Sequence, residues 1–200
     1  MVKLNKIYTR TGDDGSTGLA TGMRCAKYHP RINAYGTVDE ANAALGLAMV
    51  ALEHEGTNYD NIIDIEAMIL RIQNDLFDLG ADLSTPETSK DSAQTPLRIT
   101  EGQVERLEQE IDQLNKELQP LSSFILPGGN QVSAHLHMAR TICRRAEREM
   151  VELNDMEGET VSEAALKFIN RLSDHLFVLS RYLNERGLSD VLWTPGQNRE

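Results

Sequence analysis

The sequence predicts an all-α fold, a five-helix antiparallel bundle with a glycine-rich loop ahead of it. Three observations predict it. Five segments repeat apolar residues in alternating steps of three and four, no comparable stretch has a period of two, and helix-start signals precede the later segments. Steps of three and four place each apolar set on one stripe of a helix, which is how bundle helices pack. The first stripe is Val38, Ala41, Leu45, Ala48 and Leu52; the second is Ile62, Ile65, Ile69, Ile72, Leu76 and Leu79. Val104, Leu107, Ile111, Leu114 and Leu118 form the third. The fourth is Val132, Leu136, Ala139, Cys143, Ala146 and Met150, and the fifth is Ala165, Ile169, Leu172, Leu176, Leu179 and Leu183.

The start signals agree. Thr100 with Gln103 and Thr160 with Glu163 fit the capping box, in which side chains satisfy the free amides of the first turn. Pro127, Gly128 and Gly129 lead into the fourth helix, with Asn130 as its cap. The short connection between the fourth and fifth helices favours antiparallel neighbours. Residues 84–99 form a polar connection expected to be mobile. The tail from Gly187 has no periodicity and is a candidate for disorder, with Trp193 a candidate for docking. The chain reads as one domain over 1–186, which includes an N-terminal loop over 1–28, followed by a tail over 187–200.

Composition sets the function classes. Two hundred residues with 40% apolar content can bury a real core. The formal charge of -11, with no long Lys/Arg cluster, argues against wholesale binding to nucleic acid or an anionic membrane. An anionic ligand must therefore meet a positive field assembled locally. Cys25 and Cys143 have no partner at CxxC spacing and read as reduced thiols. The N-terminus lacks a signal peptide's apolar region, and the longest apolar run, Ala43 to Leu52, is about half of a membrane span. The expectation is a soluble, cytoplasmic protein.

Four groups of residues have chemical potential. In the run from Thr9 to Gly18, three glycines alternate with hydroxyl side chains, so its tight turns can aim amides and hydroxyls at an anion. The same composition suits a flexible arm. It is neither a Walker A loop nor a GxGxxG turn. On the fourth helix, Arg140, Arg144, Glu147 and Arg148 share one face beside the apolar stripe. They form either a local phosphate site or a solvated face in which Glu147 and Glu149 pair with arginine. Asn170, Arg171, Ser173 and Asp174 lie among core positions of the fifth helix and imply a polar network or a ligand. Asp39, Glu40 and Asn42 stand beside Val38 and Ala41 on the first helix, and a carboxylate there either meets an arginine of a neighbouring subunit or faces water. None of the five histidines has Glu or Asp three residues before it, and there is no HExxH, so no dedicated metal centre is expected.

Together these pieces resemble the PduO-type ATP:cob(I)alamin adenosyltransferases. The matching motifs are TRTGDDGSTGL, Lys27, YGTVDEANAALG, RIQNDLFDLGADL, FILPGG, ARTICRRAERE and FINRLSDHLFVLSRYLN, in the family's order from Ile7 to about Asn184. The resemblance implies a homotrimer of five-helix bundles that moves the adenosyl group of ATP to cobalamin at sites between subunits. It implies nucleotide contacts at Thr9, Arg10, Thr11, Gly12, Thr17, Gly18, Lys27, Arg144, Glu147, Arg148 and Asn170. Mg²⁺ is then held mainly by the ATP phosphates. It implies that Arg140 pairs with Asp39 across the interface, and that Phe124 crowds the lower face of the corrin. An electron-donating reductase and an adenosylcobalamin-dependent enzyme are the further partners it suggests. A binding module without catalysis and a ferritin-like oxidase are the alternative classes. Intact Arg144, Asn170 and Phe124 argue against the first, and the missing Glu-x-x-His pairs argue against the second.

Overall fold

The five apolar stripes become five helices. A computed structural model describes residues 7–55, 62–87 and 95–199. In chain order the elements are β1 (Ser16–Gly18), β2 (Arg24–Ala26), α1 (Pro30–Glu55), α2 (Ile62–Leu83), α3 (Glu101–Asn115), α4 (Gln131–Asn154) and α5 (Glu163–Tyr182). A short 3-10 turn, Glu185–Gly187, follows α5. Nearly every stripe residue is buried. The exceptions are Ile111, which is half-buried, and Ile62, whose side chain lies outside the described residues. Leu118 and Leu183 join the core from just beyond the ends of α3 and α5.

The helix starts follow local chemistry. Pro30 opens α1, where its missing N–H is not needed, and His29 Nδ1 accepts from Arg31 N at 3.2 Å. Gln103 Oε1 accepts from Thr100 N at 2.9 Å at the head of α3. Asn130 Oδ1 accepts from Ser133 N at 2.8 Å and caps α4 as expected. The expectation for α5 needs correction, because the cap is Ser162, whose Oγ accepts from Ala165 N at 3.2 Å, and not Thr160. Thr160 belongs to the preceding loop, where its carbonyl accepts from Arg31 Nη2 at 3.3 Å.

Side-chain pairs set the helix directions. α1 runs against α4: Arg31 meets Glu159 beyond the end of α4, Glu40 pairs with Arg145, and Gln131 N donates to Glu55 Oε1 at 3.2 Å. α1 also runs against α2, joined by Asn42 Nδ2 to Gln73 O at 3.0 Å. α4 runs against α5 through Glu147 with Asn170 and His137 with Ser180. α2 and α3 are likewise opposed, with Asp75 of α2 meeting Gln103 and Asp82 meeting Arg98 and Ile99. α3 and α5 are parallel, since Glu101, Glu108 and Glu117 meet Lys167, Arg171 and Tyr182 in that order. A closed ring of five helices cannot alternate direction everywhere, so one parallel contact is unavoidable.

Two of the irregular stretches differ from expectation. Of the polar connection over 84–99, residues 88–94 lie outside those described. Its far end is fixed, since Asp82 accepts from Arg98 Nη1 at 2.7 Å and from Ile99 N at 2.9 Å. The tail is not a free end. Leu126 N donates to Val191 O at 2.8 Å and Trp193 N to Phe124 O at 2.7 Å, so residues 191–193 pair with the segment ahead of α4. Trp193 therefore docks, as its aromatic surface allowed. The pairing is missed by sequence because three exposed residues leave no periodic trace.

Candidate functional site

The glycine-rich segment folds into a small hairpin with a tight turn before it. β1 pairs antiparallel with β2, which sets Thr17 opposite Cys25 and Gly18 opposite Arg24. Thr9 Oγ1 and Thr11 Oγ1 lie 3.0 Å apart, and Arg10 between them has φ of 62°, a conformation that side chains other than glycine adopt at a cost. Gly15 N donates to Gly12 O at 3.2 Å and Lys27 N to Gly15 O at 2.9 Å, closing the turn on the second strand. A Cβ built on Gly12 would stand 3.2 Å from Lys27 Nζ and 3.1 Å from Ser16 O. Glycine at this position lets the ammonium group lie against the turn. The result is an open cleft of about 780 Å³ lined by Asp14, Gly15, Ser16, Arg24, Lys27 and Tyr28 among others.

Arg24 is a residue that sequence reasoning missed. Its Nη2 donates to Thr11 O at 2.6 Å, its Nε to Ser16 Oγ at 3.1 Å, and it lies 3.7 Å from Asp14. It thus ties the start of the turn to β1. Hydrogen bonds from the Ser16 hydroxyl and amide hold the Asp14 carboxyl below its usual range. No local pattern marks Arg24, since its partners lie eight and thirteen residues away.

On α4 the arginine face is real and its composition is specific. Arg145 turns away to pair with Glu40 of α1. Arg148 Nη1 donates to Arg144 O at 2.9 Å, while Glu147 Oε1 accepts from Asn170 Nδ2 at 2.6 Å. The solvated-face alternative had Glu147 and Glu149 pairing with arginine; Glu147 bonds an amide instead, and among the described residues Glu149 Oε2 is buried without a hydrogen-bond partner. Among the described residues none of Arg140, Arg144 and Arg148 pairs with a carboxylate. Arg140 Nε is buried without a hydrogen-bond partner, and burial, with Arg144 close by, pushes its pKa below the usual guanidinium value.

The hairpin shares a cleft with Asp39, while no hydrogen bond among the described residues ties it to the arginine face of α4. The hairpin loop instead meets the residue just after α2 through Ala20 N and Ser84 O at 3.1 Å. Asp39 is exposed on α1, at a cleft of about 550 Å³ lined by Gly18, Leu19, Tyr35, Asn42 and Phe77 among others. Phe124 is 78% exposed in the segment ahead of α4, its ring centroid 6.3 Å from that of Trp193.

The same fold occurs in known proteins. The family model for cobalamin adenosyltransferase matches residues 7–183. A corrinoid adenosyltransferase of Mycobacterium tuberculosis is 50% identical over 99% of this chain and 97% of its own length. One from Bacillus subtilis is 43% identical over 93% of this chain and 91% of its own. Among solved structures, a variant PduO-type ATP:corrinoid adenosyltransferase from Lactobacillus reuteri, complexed with cobalamin and ATP, superposes with a TM-score of 0.83. It is 36% identical, with 95% of this chain and 97% of that one covered. With the family model spanning all five helices and the hairpin, and with half of all residues shared with a full-length relative, the chain belongs to the cobalamin adenosyltransferase family.

Proposed function

We propose that this chain transfers the 5′-deoxyadenosyl group of ATP to the cobalt of cob(I)alamin, forming adenosylcobalamin and releasing triphosphate. Family membership supports the reaction class. The observation that carries the site assignment lies on α4: three arginines without carboxylate partners among the described residues, in a chain of charge -11. So much unneutralised positive charge on one face of an acidic protein suits a polyphosphate.

The cobalt lone pair of cob(I)alamin attacks C5′ of ATP, the C5′–O bond breaks, and its electron pair leaves on the triphosphate. Cobalt passes formally from Co(I) to Co(III). The corrin supplies the nucleophile, and the protein supplies position and charge. The Thr9, Arg10, Thr11 and Gly12 turn, with Thr17, Gly18 and Lys27, cradles the phosphates with amides, hydroxyls and the ammonium group. Arg144 and Arg148 stabilise the negative charge that grows on the departing triphosphate. Glu147 and Asn170, already bonded to each other, present an acceptor and an amide to the nucleoside. Mg²⁺ enters on the ATP phosphates and offsets part of their charge.

Among the described residues no hydrogen bond joins the hairpin to the arginine face, and in this reading one copy's loop completes another copy's helix face. A homotrimer with sites between subunits fits that separation. Arg140, short of a partner in its own protomer, pairs there with Asp39 of the adjacent copy. Phe124 acts before the transfer. Pressed against the lower face of cob(II)alamin, it displaces the lower ligand, and a four-coordinate Co(II) accepts one electron from a separate reductase more readily. The enzyme works in the cytoplasm and hands its product to an adenosylcobalamin-dependent enzyme. Among the described residues no helix is long and apolar enough to cross a membrane.

The test is direct. The protein incubated with ATP and chemically reduced cobalamin gives the alkylcobalamin spectrum together with free triphosphate. If neither product forms at saturating substrate, the reading is wrong.

A further inference from the structure

The segment that carries Phe124 is held at three places, and a single buried ion pair connects them. Arg181 at the end of α5 donates from Nε to Asp190 Oδ2 at 2.7 Å, with the two side chains 7% and 5% exposed. The Nη2 of Arg181 donates to Gln119 O at 3.0 Å, ahead of the Phe124 segment. Behind that segment, Asn184 Nδ2 donates to Asp190 Oδ1 at 3.0 Å, while Asn184 Oδ1 accepts from Asn130 N at 3.2 Å. The middle is held by the strand that follows Asp190, through Leu126 N to Val191 O, Trp193 N to Phe124 O, and Ser123 Oγ to Trp193 O at 2.7 Å.

That strand cannot hold itself in place. Val191, Leu192 and Trp193 are 60%, 45% and 45% exposed, so they contribute little burial, and so short a pairing is not stable alone. Phe124, at 78% exposed, has no core packing to fix it either. The fixed point nearest to both is Asp190, whose carboxylate is buried and bonded on both oxygens. Losing one partner of such a pair leaves an uncompensated buried charge, so the anchor fails as a unit.

We infer that Asp190 is a positioning residue for Phe124, with the Arg181–Asp190 pair fastening the C-terminal strand that fixes the Phe124 backbone. This inference rests on the assignment of Phe124 to the lower face of the corrin. It places the tail within the working part of the enzyme, acting on the reduction step and not on ATP.

The experiment compares wild type, Asp190→Ala, Phe124→Ala and the double variant as full-length proteins, each checked by its helical circular dichroism. Asp190→Ala is expected to lose at least about tenfold in turnover from cob(II)alamin with ATP and a reductant, as a misplaced group does. It also loses the electron paramagnetic resonance signature of four-coordinate Co(II). Turnover from chemically prepared cob(I)alamin and the ATP KM stay within about twofold of wild type, because those steps do not pass through Phe124. In the Phe124→Ala background the Asp190 substitution adds no further loss. If Asp190→Ala does not fold, Asp190→Asn, which keeps the volume and removes the charge, carries the same measurements. Wild-type cob(II)alamin turnover in a folded Asp190 variant overturns the inference, as does full additivity with Phe124→Ala or an equal loss from both corrinoid states. If Phe124→Ala itself turns over cob(II)alamin normally, the lower-face assignment falls and the inference with it. If Phe124→Ala is impaired and the Asp190 variant is not, only the role of Asp190 falls.

Discussion

Asn170 Nδ2 donates to Glu147 Oε1 at 2.6 Å, so one amide of α5 occupies the carboxylate that stands between Arg144 and Arg148 on α4. The other side of the same amide accepts from Arg171 Nη1 at 3.1 Å, and Arg171 Nε donates to Glu108 of α3 at 2.7 Å. This chain of bonds keeps Glu147 from neutralising its arginine neighbours. Removing the amide releases the carboxylate to Arg144 or Arg148, a turn of helix or less away.

Asn170→Ala is therefore expected to raise the ATP KM by about 10- to 100-fold, the range for a charge-assisted hydrogen bond and the charge it frees. Arg144→Ala moves it in the same direction by removing a phosphate partner. Initial rates with cob(I)alamin saturating and ATP varied give the answer. An ATP KM that does not change in either variant rules out the α4 face as the polyphosphate site.

Gly12 makes the same argument from the loop side. A methyl group there meets Ser16 O at 3.1 Å and the Lys27 side chain at 3.2 Å, so Gly12→Ala pushes the ammonium out of the turn. Lys27 is exposed and moves readily, while the Ser16 carbonyl must yield by a few tenths of an ångström, so the stability cost is about 1 kcal/mol. The ATP KM is expected to rise about tenfold, with the cobalamin KM unchanged. A thermal melt alongside the two KM values checks both halves, and an unmoved ATP KM would separate Lys27 from the nucleotide.

What could be read from sequence divides along the range of the interactions. The stripes through Leu45, Ile69, Leu136 and Leu172 were legible because helix periodicity is local, and each residue is 0% exposed. The Asn130 cap was legible for the same reason. Thr160 with Glu163 misled because two start signals compete within three residues, and Arg31 draws the Thr160 carbonyl into a loop. Arg31 itself, 1% exposed and bonded to Leu83 O and Glu159, carried no signal because its partners lie 52 and 128 residues away. Arg24 was hidden because its partners lie eight and thirteen residues away, and Asp190 because it falls in the aperiodic tail. The arginine face was visible as a pattern, but the partner of Glu147, Asn170 and not an arginine, depends on the packing of α4 on α5.

His137 gives the fold a pH dependence whose sign can be stated. It is 3% exposed, lies 3.3 Å from Ser180 Oγ, and its Nδ1 has no hydrogen-bond partner among the described residues. Burial, reinforced by Arg140 and opposed by Asp190, pushes its pKa from 6.5 down to about 4. Below pH 6.5 the unfolded chain takes up a proton that the native state refuses, so this group costs stability as pH falls from 6.5 to about 4. His137→Gln removes that loss. The gap between variant and wild type should grow in favour of the variant by about 2 kcal/mol between pH 7.5 and 4.5, read from urea midpoints. Curves that stay parallel over that window would mean that His137 is protonated in the native state.

Arg140 and Asp39 test the assembly itself. Arg140 holds a buried nitrogen with no partner among the described residues, and Asp39 is exposed on α1. A partly buried guanidinium without a counter-charge is unfavourable, and a carboxylate brought by a second copy removes the penalty. Reversing either charge alone sets like against like at the contact and is expected to weaken association by about 2–5 kcal/mol. In the proposed trimer, Asp39→Arg or Arg140→Asp then shifts mass toward monomer and lowers adenosyl transfer with it, because one copy's loop no longer meets the arginine face of the next. The double reversal restores opposite charges and should recover both mass and turnover. Sedimentation velocity across a dilution series, with activity measured on the same samples, reads the outcome. Single reversals that remain fully trimeric and active, or a double reversal no better than either, would mean that these two residues do not face each other across the interface.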